Sequence, residues 1–187
     1  MINIKFINAT SVQLVDKNNN VVTTIGEFSG SPIVYTYNGN TFSKNDLEYY
    51  HFAITGTNVQ LSGVIDSVTT KQQFTNLFKG CTNITDSSQL ELTASDLTES
   101  CYAGMFLNCS NLKTPPVLAA TGLAMWCYNS MFAGCSSLSS APTLPATTLA
   151  PYCYYAMFYG CSNLSTSPYL PAATLTSWCY NSMFYNC

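Results

Sequence analysis

Nine cysteines are the most reactive groups in this 187-residue chain, and their spacing decides what chemistry is open to them. Eight form two rows, Cys101, Cys127, Cys153, Cys179 and Cys109, Cys135, Cys161, Cys187, each row stepping by 26 residues. Cys81 precedes the second row. Zinc sites use close pairs such as C-x₂-C, whereas here seven residues separate the rows and no histidine is near. Disulfides would suit an exported protein, but the count is odd. Stacked repeats also bring like to like at ladder spacing, not at disulfide geometry. Free cysteine is a small, well-buried hydrophobe, and reduced core thiols are the favoured reading over disulfides, with metal last.

Acid–base chemistry has little to work with. Only 8% of the residues are charged, the six basic ones are all lysine, and Thr114–Cys187 contains no charged residue and no histidine. The single histidine, His51, follows Asp46 and Glu48 closely, but no set of three or four ligands converges there. A polar turn and a strand-edge histidine are favoured over a site. No catalytic, cofactor-binding or metal-binding residue is therefore expected, and the repeats lack the lysine and arginine that phosphate contacts require. Most enzymes and nucleic-acid binders are excluded.

The cysteine rows belong to a repeat. MFLNCSNL starts at Met105, MFAGCSSL at Met131, MFYGCSNL at Met157 and MFYNC at Met183, with a looser LFKGCTNI at Leu77. A fixed period in this range means stacked units, each burying its apolar face on its neighbours. Within one unit the prolines Pro142 and Pro145 leave only a few residues around Leu144 for a parallel ladder. Pro151 suits the first turn of a helix and Gly160 its cap, while Cys153, Met157 and Cys161 at i, i+4, i+8 join Tyr154 and Phe158 in one apolar stripe. The spacing predicts a short strand, a turn and a short helix per repeat.

Residues 1–51 read instead as a small β-rich anchoring domain. INIKFIN, SVQLVD, VVTTIGEF and PIVYTY alternate apolar and polar residues, with turns at Lys17–Asn20 and Asn38-Gly39. A small sandwich or open barrel of about 50 residues has a marginal core and should lean on the array or a partner. Residues 52–187 form the array, 52–104 as degenerate repeats and 105–187 as regular ones. The amino terminus lacks the pattern of a secretory signal, and nothing downstream is long enough to span a membrane. The carboxyl end shows no polar capping repeat, so either the protein assembles through it or the natural chain runs on; the uncharged, ring-lined surface also favours self-association.

The F-x-G-C-S-x-L core, followed by an LP-containing strand and a return to Met-Phe, resembles the BspA-like leucine-rich repeats of bacterial surface proteins. Those have a period of about 23 residues; this chain adds three residues, a Met before the Phe and a Cys-Tyr pair. The resemblance covers 105–187 well and 52–104 loosely. It implies an α/β leucine-rich-repeat solenoid behind the β-rich domain. Repeats of the LPATTL…CY..MF.GC kind also resemble those in virion proteins of phages infecting gut Bacteroidales.

Stacking makes further columns. Ser100, Trp126, Tyr152 and Trp178 precede the first cysteine of each repeat. Val117, Thr143 and Tyr169 precede the strand leucine, and Leu107, Ala133, Tyr159 and Tyr185 follow the phenylalanine. Rings on an uncharged face stack on sugars or dock against protein, although the same rings could simply pack between repeats. The candidate surface is Trp126, Tyr152, Trp178, Thr143, Tyr169, Tyr159 and Tyr185. The expected role is non-enzymatic: a phage virion decoration or fibre protein, anchored by its amino-terminal domain and presenting repeats to a host glycan or surface protein. The alternative is a bacterial BspA-like adhesin, at the cell surface or secreted.

Overall fold

The computed structural model describes residues 3–27, 33–36, 43–45 and 48–187. The expected Asn38-Gly39 turn and Asp46 lie outside the described residues. Seven strands are present among them: β1 (Asn3–Asp16), β2 (Val21–Glu27), β3 (Ile33–Thr36), β4 (Ser43–Asn45), β5 (Glu48–Ile65), β6 (Ile84–Leu92) and β7 (Val117–Leu118). The sheet runs β2-β1-β5-β6-β7, with β3 also paired to β1 and β4 to β5. Pairing is antiparallel for β1 with β5 and parallel from β5 through β7.

INIKFIN and SVQLVD are one strand rather than two. Ile4 and Phe6 point into the core, then a bulge at Asn8 (φ 64°) shifts the phase so that Ala9, Val12 and Val15 are buried. Extra residues on one strand change which face the rest present. At the far end Asp16 Oδ1 accepts the N–H of Asn18 at 2.8 Å and of Asn20 at 2.9 Å, which closes the Lys17–Asn20 turn. The 51/52 division runs through β5. That strand pairs with β1 on one side and β6 on the other, so it joins the amino-terminal strands to the array.

There is no helix among the described residues, so the expected α/β leucine-rich-repeat solenoid, short strand plus short helix, is corrected to a mixed sheet continued by stacked turn ribbons. The hydrogen bonds show why. In the coil around Tyr102, amides of Cys101, Ala103, Met105, Leu107 and Cys109 each reach the carbonyl three residues back, at 2.9–3.3 Å. The amides between them leave the coil instead: Tyr102 donates to Cys127, Gly104 to Asn129, Phe106 to Met131 and Asn108 to Ala133. An α-helix would keep every amide to itself. Here half of them tie one coil to the next, as in a parallel sheet.

Alternation of this kind needs a left-handed residue every fourth position. Ser100, Gly104 and Asn108 have φ of 55°, 59° and 61°, and Trp126, Ser130 and Gly134 repeat the pattern at 62°, 50° and 75°. Each turn closing on the residue after it has the positive φ that a type II turn requires. The apolar period is therefore 4.0, not 3.6, and i, i+4, i+8 mimicked a helix stripe. Pro151 and Gly160 bracket no helix. Gly160 occupies the third left-handed position (φ 73°), and the Pro151 carbonyl accepts from Trp126.

Inward residues stack in rows. Phe78, Phe106, Phe132, Phe158 and Phe184 lie 5.1–5.7 Å apart, and Phe74, Tyr102, Tyr128, Tyr154 and Tyr180 lie 5.7–5.8 Å apart. Phe6 and Phe52 meet edge-on at 5.1 Å and both touch Phe78, which makes the amino-terminal core continuous with the array. Each ring fully buried contributes about 1.5–3 kcal/mol. The short strand expected around Leu144 does not form, because Pro142 and Pro145 leave too few N–H groups for a ladder, yet the segment keeps the alternation: Pro142, Leu144 and Ala146 buried, Thr143 and Pro145 exposed.

The hydroxyls of Tyr102 and Tyr128 are buried with no hydrogen-bond partner among the described residues. An unsatisfied buried hydroxyl costs about 1–3 kcal/mol, and Phe74 already occupies the same row without one. Tyr128→Phe should raise the free energy of unfolding by about 1 kcal/mol in urea titration; a fall would show that the hydroxyl has a partner.

Candidate functional site

The turn ribbons have an inner and an outer side, and the outer side carries the candidate rings. Immediately before each buried pair stands the first left-handed position, filled by Gln72, Ser100, Trp126, Tyr152 and Trp178 in successive coils. Trp126 and Tyr152 stack at 3.9 Å and 15°, Tyr152 and Trp178 at 6.1 Å and 4°. Tyr155 completes the cluster edge-on to Trp126 at 6.0 Å. Trp126 and Tyr152 are half-buried, whereas Trp178 is 56% exposed. On the same flank Tyr159 and Tyr185 stack at 5.1 Å and are both exposed.

Thr143 and Tyr169 do not join these rows. They line a separate apolar groove with Pro142, Pro145, Pro168 and Pro171, where Tyr169 is 83% exposed. The seven candidate residues thus divide into a ring flank of five and a proline groove of two.

Sequence reasoning missed a groove of about 460 Å³ where the ring row stops. Its floor is the second coil, where Ser100, Ala103 and Gly104 are small and Glu99 and Leu107 stand at either end; its walls are Gln72, Asn76 and Lys79 on one side and Trp126 and Asn129 on the other. The Asn76 amide oxygen lies over Gly104, where any side chain would collide with it. Lys71 and Glu99 bridge the rim at 2.6 Å. The signal was legible as the one small residue, Ser100, heading a column of rings. Tyr155 was missed as well, because its column reads Thr75, Ala103, Asn129, Tyr155 and Asn181 and shows no pattern.

The cysteines lie inside. Cys81, Cys109, Cys135, Cys161 and Cys187 each donate a thiol hydrogen bond, at 2.9–3.1 Å, to the phenylalanine carbonyl of the preceding coil. Phe52, in β5, serves as that phenylalanine for Cys81, so the strand stands as the coil before the first. All nine are free thiols and only Cys187 is exposed. Burial pushes Cys81, Cys101 and Cys161 up to about 12, far from the thiolate that oxidation or metal binding needs. No group of three metal-ligating side chains occurs among the described residues.

His51 is half-buried and its Nε2–H donates to Asn19 Oδ1 at 3.1 Å. Burial, then the nearby Lys79 charge, lower its pKa, opposed by Asp16. Burial and Lys79 thus favour the neutral imidazole, while Asn19 orients the ring. No helix among the described residues is long and apolar enough to cross a membrane. Compared with family models, with curated proteins and with solved structures, the chain matches none.

Iodoacetamide at pH 8 should alkylate Cys187 alone in the folded protein and all nine cysteines in denaturant, read by intact mass. Denatured protein that takes up fewer than nine labels until it is reduced would contradict free-thiol packing. Because the folded pKa of His51 lies below its ordinary 6.5, the unfolded chain takes the proton first as pH falls. The histidine's contribution is therefore fully present above pH 6.5 and declines below it. His51→Gln should flatten the melting temperature between pH 6.5 and the acid limb, where Asp16 begins to titrate.

Proposed function

We propose that the protein is a non-enzymatic binding and structural protein, a phage virion decoration or fibre component whose amino-terminal strands grip the particle and whose coils present the ring flank outward. The observation that carries this reading is the flank itself: Trp126, Tyr152, Trp178, Tyr159 and Tyr185 held in register on coils that bond to each other through their backbones. Rings fixed in this way offer contact area at low entropic cost. They suit a host glycan or a host surface protein. Thiols satisfied by backbone carbonyls support assembly in a reducing cytoplasm before release.

The motif likeness to BspA-like repeats favours a second reading, a bacterial surface adhesin using the same flank. Self-association is part of the proposal and also belongs to the flank.

Mass spectrometry of purified particles and of the host cell envelope separates the two readings. Peptides of this chain in particles are expected; peptides in the envelope, absent from particles, would return the adhesin reading.

A further inference from the structure

The groove beside Trp126 is the place where the ring row has lost one member. In the first left-handed position the coils carry Gln72, then Ser100, then Trp126, Tyr152 and Trp178. Tyr152 covers one face of the Trp126 indole at 3.9 Å, and among the described residues Trp126 makes its only other ring contact edge-on with Tyr155. Its second face borders the groove over Ser100. The walls belong to coils two ladder steps apart, about 10 Å. That leaves room for one flat ring between them.

We infer that this slot is a sugar-binding site in which a neutral pyranose lies with its C–H face on Trp126 and its hydroxyls toward the amides of Asn76 and Asn129. It deepens the reading of the flank as a binding face, on which it rests, by naming the ligand class and the residues. Both amides line the groove half-buried, and neither side chain makes a hydrogen bond among the described residues. Each offers two donors and an acceptor, the complement of a hydroxyl pair. The groove is only weakly charged: Glu99 at its rim is paired with Lys71, and Lys79 lines the opposite wall. A phosphorylated ligand would find one lysine and a carboxylate at hand, and a peptide aromatic side chain would leave the amides facing its edge with nothing to bond. A pyranose has both an apolar face and a rim of hydroxyls.

The row itself supplies the decisive variant. Ser100 has φ 55°, Trp126 62° and Trp178 59°, so the backbone at 100 already adopts what an indole in this row adopts. Ser100→Trp should complete the row, fill the slot and leave the fold intact. Asn129→Ala removes one amide without touching the row.

The probes are glucose, galactose, mannose and N-acetylglucosamine with their disaccharides, and phenol and indole as aromatic controls. Binding is read by saturation-transfer NMR and, in Trp178→Phe protein where Trp126 is the sole tryptophan, by fluorescence. At least one sugar should bind at millimolar concentration and perturb Trp126. Asn129→Ala should weaken it about tenfold, and Ser100→Trp should abolish it with an unchanged melting temperature. The proposal falls if no sugar binds, if binding survives Ser100→Trp, if Asn129→Ala leaves affinity unchanged, or if phenol and indole bind better than every sugar. Sugar binding by a protein found in neither particles nor envelope would sustain the slot and sink the virion and adhesin readings. Capture by host cells without sugar binding would do the reverse.

Discussion

The structure depends on a division of labour among backbone amides. Alternate N–H groups close turns within a coil, and those between them bond the next coil. Neither set suffices alone: turns without cross-bonds would leave half the amides buried and unpaired, and cross-bonds without turns would give a flat strand. The pattern requires a left-handed residue every fourth position, and the chain supplies it in two ways. In the third position it uses Gly80, Asn108, Gly134, Gly160 and Asn186, for which that conformation costs little. In the first it uses Trp126, Tyr152 and Trp178, for which positive φ is unfavourable. Ring on ring stacking helps to offset that strain along the row.

The same register explains the missing charges. When coils stack in step, each side chain sits one ladder spacing from its own counterpart, so a charge would meet its like a few ångströms away. A regular array can carry rings, thiols, alcohols and amides in rows, but not lysines. Charge survives only where successive coils differ, as at Lys71 and Glu99, which meet as opposite partners at 2.6 Å. The uncharged stretch from Thr114 onward is a consequence of repetition, so it says less about function than it first suggests.

This bears on what could be read from the sequence. The period, the inward rows of Cys, Tyr, Met, Phe and Leu and the Lys17–Asn20 turn were all legible, because each follows from spacing or from one residue's conformational limits. The turn ribbon was not. Cys153, Met157 and Cys161 satisfy a helix stripe as well as a period of four over so short a run, and the distinguishing evidence is the backbone sign at Trp126 or Tyr152, residue types that do not advertise a positive φ. The role of β5 was hidden for another reason. Phe52 lies 26 residues before Phe78 and takes its place in the thiol ladder, yet its neighbours alternate as a strand and mask the repeat.

The ring flank was read from columns, but the groove was not, and the difference is instructive. Columns record what repeats, whereas the groove exists because Ser100, Ala103 and Gly104 fail to repeat their neighbours. A strictly regular stack of coils offers the same shallow face at each step, with nowhere for a small ligand to be enclosed on two sides. Enclosure requires a coil whose outward residues are trimmed between two that are not. Here the trimmed coil lies where charged, degenerate repeats give way to uncharged, regular ones. Gln72, Asn76 and Lys79 come from the one and Trp126 and Asn129 from the other. Polar groups on one wall and an open indole face on the opposite wall are therefore products of the same transition, and this is the place in the array where a ligand can meet both.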